Sequence, residues 1–85
     1  MANYELQIRP SAVKELEKLP RKNRPKIVQK IRALAGNPSP HGCEKLSAEE
    51  KYRIRQGDYR VVYSVDDDER VILVVKVGHR KEVYR

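Results

Sequence analysis

Apolar and polar residues alternate along Tyr4-Glu5-Leu6-Gln7-Ile8, the period of two that a half-buried strand requires. Pro10 follows, where the first turn of a helix tolerates proline, and Ser11 is placed to help cap that end. Ala12, Val13, Leu16 and Leu19 then recur at helical spacing among Lys14, Glu15, Glu17 and Lys18. That pattern predicts an amphipathic helix ending near Pro20. A second helix is expected from about Arg24, with Pro25 in its first turn and an apolar stripe of Ile27, Val28, Ile31, Leu34 and Ala35 closed by Gly36-Asn37-Pro38. The two helices should fold back on each other across the basic turn Pro20-Arg21-Lys22-Asn23. A loop with Pro38, Pro40 and Gly42 is predicted from Asn37 to about Lys51, with Leu46 as its apolar anchor.

The second half reads as strands. Tyr52–Gln56 and Tyr59–Val65 flank Gly57-Asp58, a glycine-first two-residue hairpin signal. Asp66-Asp67-Asp68-Glu69 is an acidic turn, and Val71 to Val77 is a continuous apolar run with β-branched residues, the mark of an interior strand covered on both faces or nearly so. The expected order is β-α-α-β-β-β, an α+β fold with a helical hairpin on one face of a mostly antiparallel four-stranded sheet. The other face should stay partly open.

The 85 residues leave room for one domain, residues 1–85, with a thin stability margin. The single cysteine, Cys43, excludes an internal disulfide and argues against a thiolate metal site. It fits a reducing cytoplasm and reads as an incidental thiol. Neither a signal peptide nor an apolar run of membrane-spanning length is present, so a soluble cytoplasmic protein is expected. A formal charge of +7 on so short a chain changes the picture more. It concentrates anionic partners at the surface and speeds their encounter, which points to nucleic acid or an acidic protein.

The hairpin gives that charge a location. With Gly57-Asp58 as the turn, Arg55 lies opposite Arg60 and Arg53 opposite Val62, while Tyr52, Ile54, Tyr59, Val61, Tyr63 and Val65 take the other face under the helices. Like charges directly across a ladder cost stability unless an anion joins them, and guanidinium forks pair bidentately with phosphate oxygens. On the last strand the same parity groups Lys76 with Arg80, and Val75 with Val77 and His79, Gly78 being a candidate bulge. The tail from Gly78 to Arg85 adds His79, Arg80, Lys81 and Tyr84, all side chains that can stack on or pair with RNA.

Tyr52-Arg53-Ile54-Arg55, Gly57-Asp58-Tyr59-Arg60-Val61-Val62-Tyr63, Val77-Gly78-His79-Arg80 and Glu82-Val83-Tyr84 together resemble the RelE toxins of bacterial toxin–antitoxin pairs, within the RelE/ParE superfamily. The resemblance runs nearly the whole length. It implies a ribosome-dependent mRNA interferase that works without metal or other cofactor, with a 2′-hydroxyl attacking the neighbouring phosphate. It also implies an acidic RelB-like antitoxin as partner, besides the ribosome and mRNA, and no membrane. Arg60 and Arg80 match family arginines that grip the phosphate, and Tyr84 a family tyrosine at the attacking nucleotide. Arg53 and Arg55 stand where family members carry lysine. Arginine does not give up its proton, so these two can hold phosphate, with Lys76 and Lys81, but cannot act as base. Tyr84, and after it His79, are the remaining candidates; surrounding cations favour a phenolate. His41 reads as non-catalytic. Two other readings stay open: a gyrase-poisoning toxin of the ParE kind, and a non-catalytic RNA- or ribosome-binding protein.

Overall fold

A computed structural model of the chain describes residues 3–46 and 51–79. Strand β1 (Glu5–Ile8) leads into helix α1 (Pro10–Glu17) and helix α2 (Arg24–Ala33). Strands β2 (Glu44–Leu46), β3 (Lys51–Gln56), β4 (Tyr59–Asp66) and β5 (Val71–His79) follow. All five strands form one sheet in the order β1-β5-β4-β3-β2. The α+β class and the single helical layer are as expected, but the sheet has five strands rather than four. The extra strand, β2, comes from the segment expected to be loop, and it pairs antiparallel with β3. β1 runs parallel to β5 and the other pairs are antiparallel, so the sheet is mixed.

The core lies between the helices and one face of the sheet. Ala12, Leu19, Ile27, Ile31 and Leu34 from the helical side meet Ile54, Val61, Tyr63, Ile72, Val74 and Val77 from the sheet. Burying one such aliphatic side chain contributes about 1.5–3 kcal/mol. The first helix stops two residues short of the expected end, and Val13 is exposed at 38% instead of joining the apolar stripe. Arg9 stands at the N-cap with no side-chain cap, so Ser11 does not serve there. The turn between the helices is tied from one side: Arg24 Nη2 donates to the Glu17 and Leu19 carbonyls at 2.8 and 3.1 Å.

At the β3–β4 turn, Gly57 has φ +62°, while Asp58 is not among the residues of positive φ. That combination is the glycine-first hairpin turn the sequence called for. Gly78, however, is not a bulge; it pairs regularly with Arg60. The irregularity falls where Val62 faces Lys76 but Tyr63 faces Val74, leaving Val75 as the extra residue. The parity of β5 therefore reverses at Val75, and Ile72, Val74 and Val77 all reach the core. Leu73 and Val75 are only half-buried, so β5 is interior to the sheet but is not covered on both faces.

Tyr63 is the central buried aromatic. It is 0% exposed, stacks on Tyr52 with centroids 5.7 Å apart, and donates its hydroxyl to the Pro38 carbonyl at 2.7 Å. This bond, with Cys43 packed against the core, anchors the 37–43 segment. Leu46, the expected anchor, is half-buried on β2 and pairs with Lys51 of β3. Burial, and then Cys43 beside the hydroxyl, push the Tyr63 phenol well above its ordinary pKa. A raised native pKa stabilises the fold fully below the unfolded value of about 10, and that contribution is lost as pH rises from there toward the native value. Tyr63→Phe should cost about 1–2 kcal/mol at neutral pH by urea unfolding. The gap between wild type and variant should narrow above about pH 10. A gap that stays constant into alkali would contradict the buried hydrogen bond.

Candidate functional site

The strand register sets the arginines in rows on the face away from the helices. Arg55 pairs with Arg60, which pairs with Gly78, so two guanidinium side chains share a row that ends on a residue with none. One step along, Glu44, Arg53, Val62 and Lys76 form the next row. Arg53, Arg55 and Arg60 are thus brought together as the sequence predicted. The face is nevertheless not simply open. Arg53 and Arg60 are buried, at 7% and 6% exposure, and only Arg55 of the three stands in solvent.

Glu44 is a principal reason. Pairing of β2 with β3 puts it directly opposite Arg53, and its carboxylate takes both neighbours. Arg53 Nη2 lies 2.8 Å from Oε2, and Arg55 Nη2 lies 3.2 Å from Oε1. The hydrogen bond from Arg53, then the charges of Arg53, Arg55 and Arg60, hold the Glu44 carboxyl below the usual carboxylate range. A charge-assisted bond of this kind allows a guanidinium to sit in a half-dry sheet face. Sequence reasoning missed Glu44. A three-residue strand is too short for its alternation to stand out from the surrounding loop pattern.

Lys76 is drawn toward α1. Its Nζ donates to Glu15 Oε2 at 3.2 Å, and Glu15 Oε1 accepts the Val77 backbone N–H at 2.9 Å. The reason is topological: β1 ends at Ile8 opposite Val74, so the edge of β5 beyond that point faces helix α1 instead of a strand. Around it lies a groove of about 440 Å³, walled by Arg9, Ser11, Glu15, Lys51, Val62 and Lys76 among others. Three of those six carry positive charge, which suits the groove to a polyanion.

His79 stands apart from the arginines. It pairs with Tyr59 and meets that ring edge-on, centroids 5.8 Å apart, on the face that the helices cover. The two rings line a cleft of about 450 Å³ with Lys18, Leu19 and Pro20. Adjacent residues of a strand point to opposite faces, so the row holding Arg60 and the row holding His79 open on different sides of the sheet. Arg80, Lys81 and Tyr84 lie outside the described residues. His41 is exposed and lines a cleft of about 290 Å³ with Arg55. No helix among the described residues is long and apolar enough to cross a membrane.

The α+β fold, a helical hairpin packed on one face of a mixed sheet, is shared with known toxins. The archaeal RelE of the RelE–RelB complex from Pyrococcus horikoshii superposes with a TM-score of 0.82 at 32% identity, over 92% of this chain and 96% of that one. The isolated RelE toxin of Escherichia coli gives a TM-score of 0.79 at 32% identity, over 95% and 90%. Toxin RelE of Mycobacterium tuberculosis is 31% identical over 84 residues, covering 96% of this chain and 87% of that protein. The family described as "ParE toxin of type II toxin-antitoxin system, parDE" matches residues 6–84, and the chain belongs to it as a RelE-type toxin of the RelE/ParE superfamily.

The Glu44 clamp has a pH signature. A depressed native pKa stabilises the fold above the unfolded carboxylate value of about 4.3, and that contribution is lost as pH falls through the native value. Glu44→Gln should therefore be less stable than wild type at pH 6, and the gap should shrink as the pH falls below about 4. Urea unfolding across that range checks it; an undiminished gap at low pH would mean that Glu44 is not ion-paired.

Proposed function

We propose that this chain is the toxin of a type II toxin–antitoxin pair and acts in the cytoplasm as a ribosome-dependent mRNA interferase. The observation that carries the reading is Arg55 set directly across from Arg60 beside Arg53, an arrangement that folding alone penalises and a phosphodiester rewards. The RelE names of its relatives support the same activity. A 2′-hydroxyl attacks the adjacent phosphorus, the O2′–P bond forms, the P–O5′ bond breaks, and a 2′,3′-cyclic phosphate and a 5′-hydroxyl result. A base takes the proton of the 2′-hydroxyl, and an acid returns one to O5′. In this reading Arg60 and Arg80 hold the reacting phosphate and offset the charge of the phosphorane. Arg53, Arg55, Lys76 and Lys81 bind neighbouring phosphates.

Tyr84 is the favoured base. His79 lies on the Tyr59 side of the sheet, turned from Arg60, and that separation counts against it. The partner that silences the protein is an acidic RelB-like antitoxin, a reading supported by the solved complex of the Pyrococcus horikoshii relative with RelB. A gyrase-directed activity is the second reading, favoured by the ParE description of the family.

Induced expression followed by mapping of mRNA ends separates the two. Cuts inside translated codons are expected; intact mRNA with broken chromosomes would transfer the function to gyrase. Arg80→Ala and Tyr84→Phe should each relieve growth arrest and lower cleavage by roughly 10²-fold or more, with unchanged thermal unfolding. Full toxicity in both variants would remove these residues from the site. His79→Gln should lower cleavage much less than Tyr84→Phe.

A further inference from the structure

Glu44 is a carboxylate set where the arginine face would receive an anion. Its two oxygens meet two different guanidiniums, at 2.8 Å to Arg53 and 3.2 Å to Arg55. A phosphodiester offers its two non-bridging oxygens to an arginine pair in the same fashion. The two halves of the contact differ. Arg53 is 8% exposed in its side chain, so its bond to Glu44 replaces hydration that the sheet has removed. Arg55 and Glu44 are each 51% exposed, and a pair that wet is held weakly and exchanges readily with other ions. Arg55 also sits directly across from Arg60, so an anion drawn to Arg55 enters the field of both.

We propose that Glu44 is the internal place-holder of the phosphate site: its Oε1 occupies Arg55 in the free protein, and a backbone phosphate of the bound RNA must displace it. Glu44 thereby sets the affinity of the arginine face for RNA, while Oε2 keeps Arg53 in position. The inference rests on the RNA-directed reading of the site. The exchange needs little movement, because β2 is a three-residue edge strand and only the Arg55 half of the contact has to open.

The test uses the full chain and a fluorescent single-stranded oligonucleotide carrying 2′-O-methyl groups, which has no attacking hydroxyl and stays uncut. Glu44→Gln keeps an acceptor for Arg53 and removes the charge that competes for Arg55. It should bind about threefold to fivefold tighter than wild type, the size of an exposed ion pair given up on binding. Removing any negative charge raises attraction for RNA slightly, so Glu69→Gln, in the acidic turn at the far end of β4, is the matched control and should change affinity little. In an Arg55→Gln background the gain from Glu44→Gln should vanish, a coupling that a merely structural role for Glu44 would not produce. Thermal unfolding of each variant verifies that the compared proteins are folded. Unchanged or weaker binding by Glu44→Gln, an equal gain from Glu69→Gln, or a gain that persists without Arg55 would each overturn the proposal. Mapping of mRNA ends answers separately whether the chain cuts RNA, so a missing gain in affinity and a missing cleavage remain distinct results.

Discussion

The extra residue at Val75 governs which face each residue of β5 takes. Without it, β5 could not send both Ile72 and Val74 on one side of the irregularity, and Val77 on the other, into the same core. A strict period of two would expose one set or the other, at about 1.5–3 kcal/mol for each side chain left out. The irregularity resolves that conflict at Val62/Tyr63, and in doing so it fixes the last turn of the ladder. Gly78 falls opposite Arg60 and His79 opposite Tyr59. The division of the candidate residues between two faces is therefore a consequence of packing the core.

On the arginine face the governing balance is between charge and water. Arg53 and Arg60 are buried to a degree that arginines seldom reach unless paired. For Arg53 the sheet tolerates this because β2 delivers a carboxylate at the matching height. A face built this way stays positive overall without being a loose fringe of solvated cations, and rigid cations are better suited to reading a phosphate's position than mobile ones.

Much of this was legible in the residues. Alternation placed β1, β3 and β4, helical spacing placed α1 and α2, and Gly57-Asp58 fixed the β3–β4 register, from which the Arg55–Arg60 pairing followed without tertiary information. What escaped has common causes. β2 spans three residues, too few for periodicity to distinguish Glu44 and the fifth strand from loop. The continuous run Val71–Val77 conceals where the parity of β5 breaks, because every residue in it except Lys76 is apolar; glycine at position 78 was the conspicuous candidate and the wrong one. The anchoring of the 37–43 segment depends on a tyrosine 25 residues from its acceptor, a contact that no local pattern encodes.

Helix α1 has a second effect through Glu15. Sheets with exposed margins invite foreign strands, since an unsatisfied row of backbone groups is a template for any extended peptide. Past Ile8 the margin of β5 would be such a template, but the Val77 donor is already taken by a side chain from α1, and the Val74 carbonyl by the backbone N–H of Arg9. Among the described residues, a peptide that adds a strand is thus directed elsewhere, to the outer side of β1 or of β2, or to β3 beyond Arg53, which β2 does not reach. The helix acts as a guard rail, leaving strand exchange to begin at the outer strands.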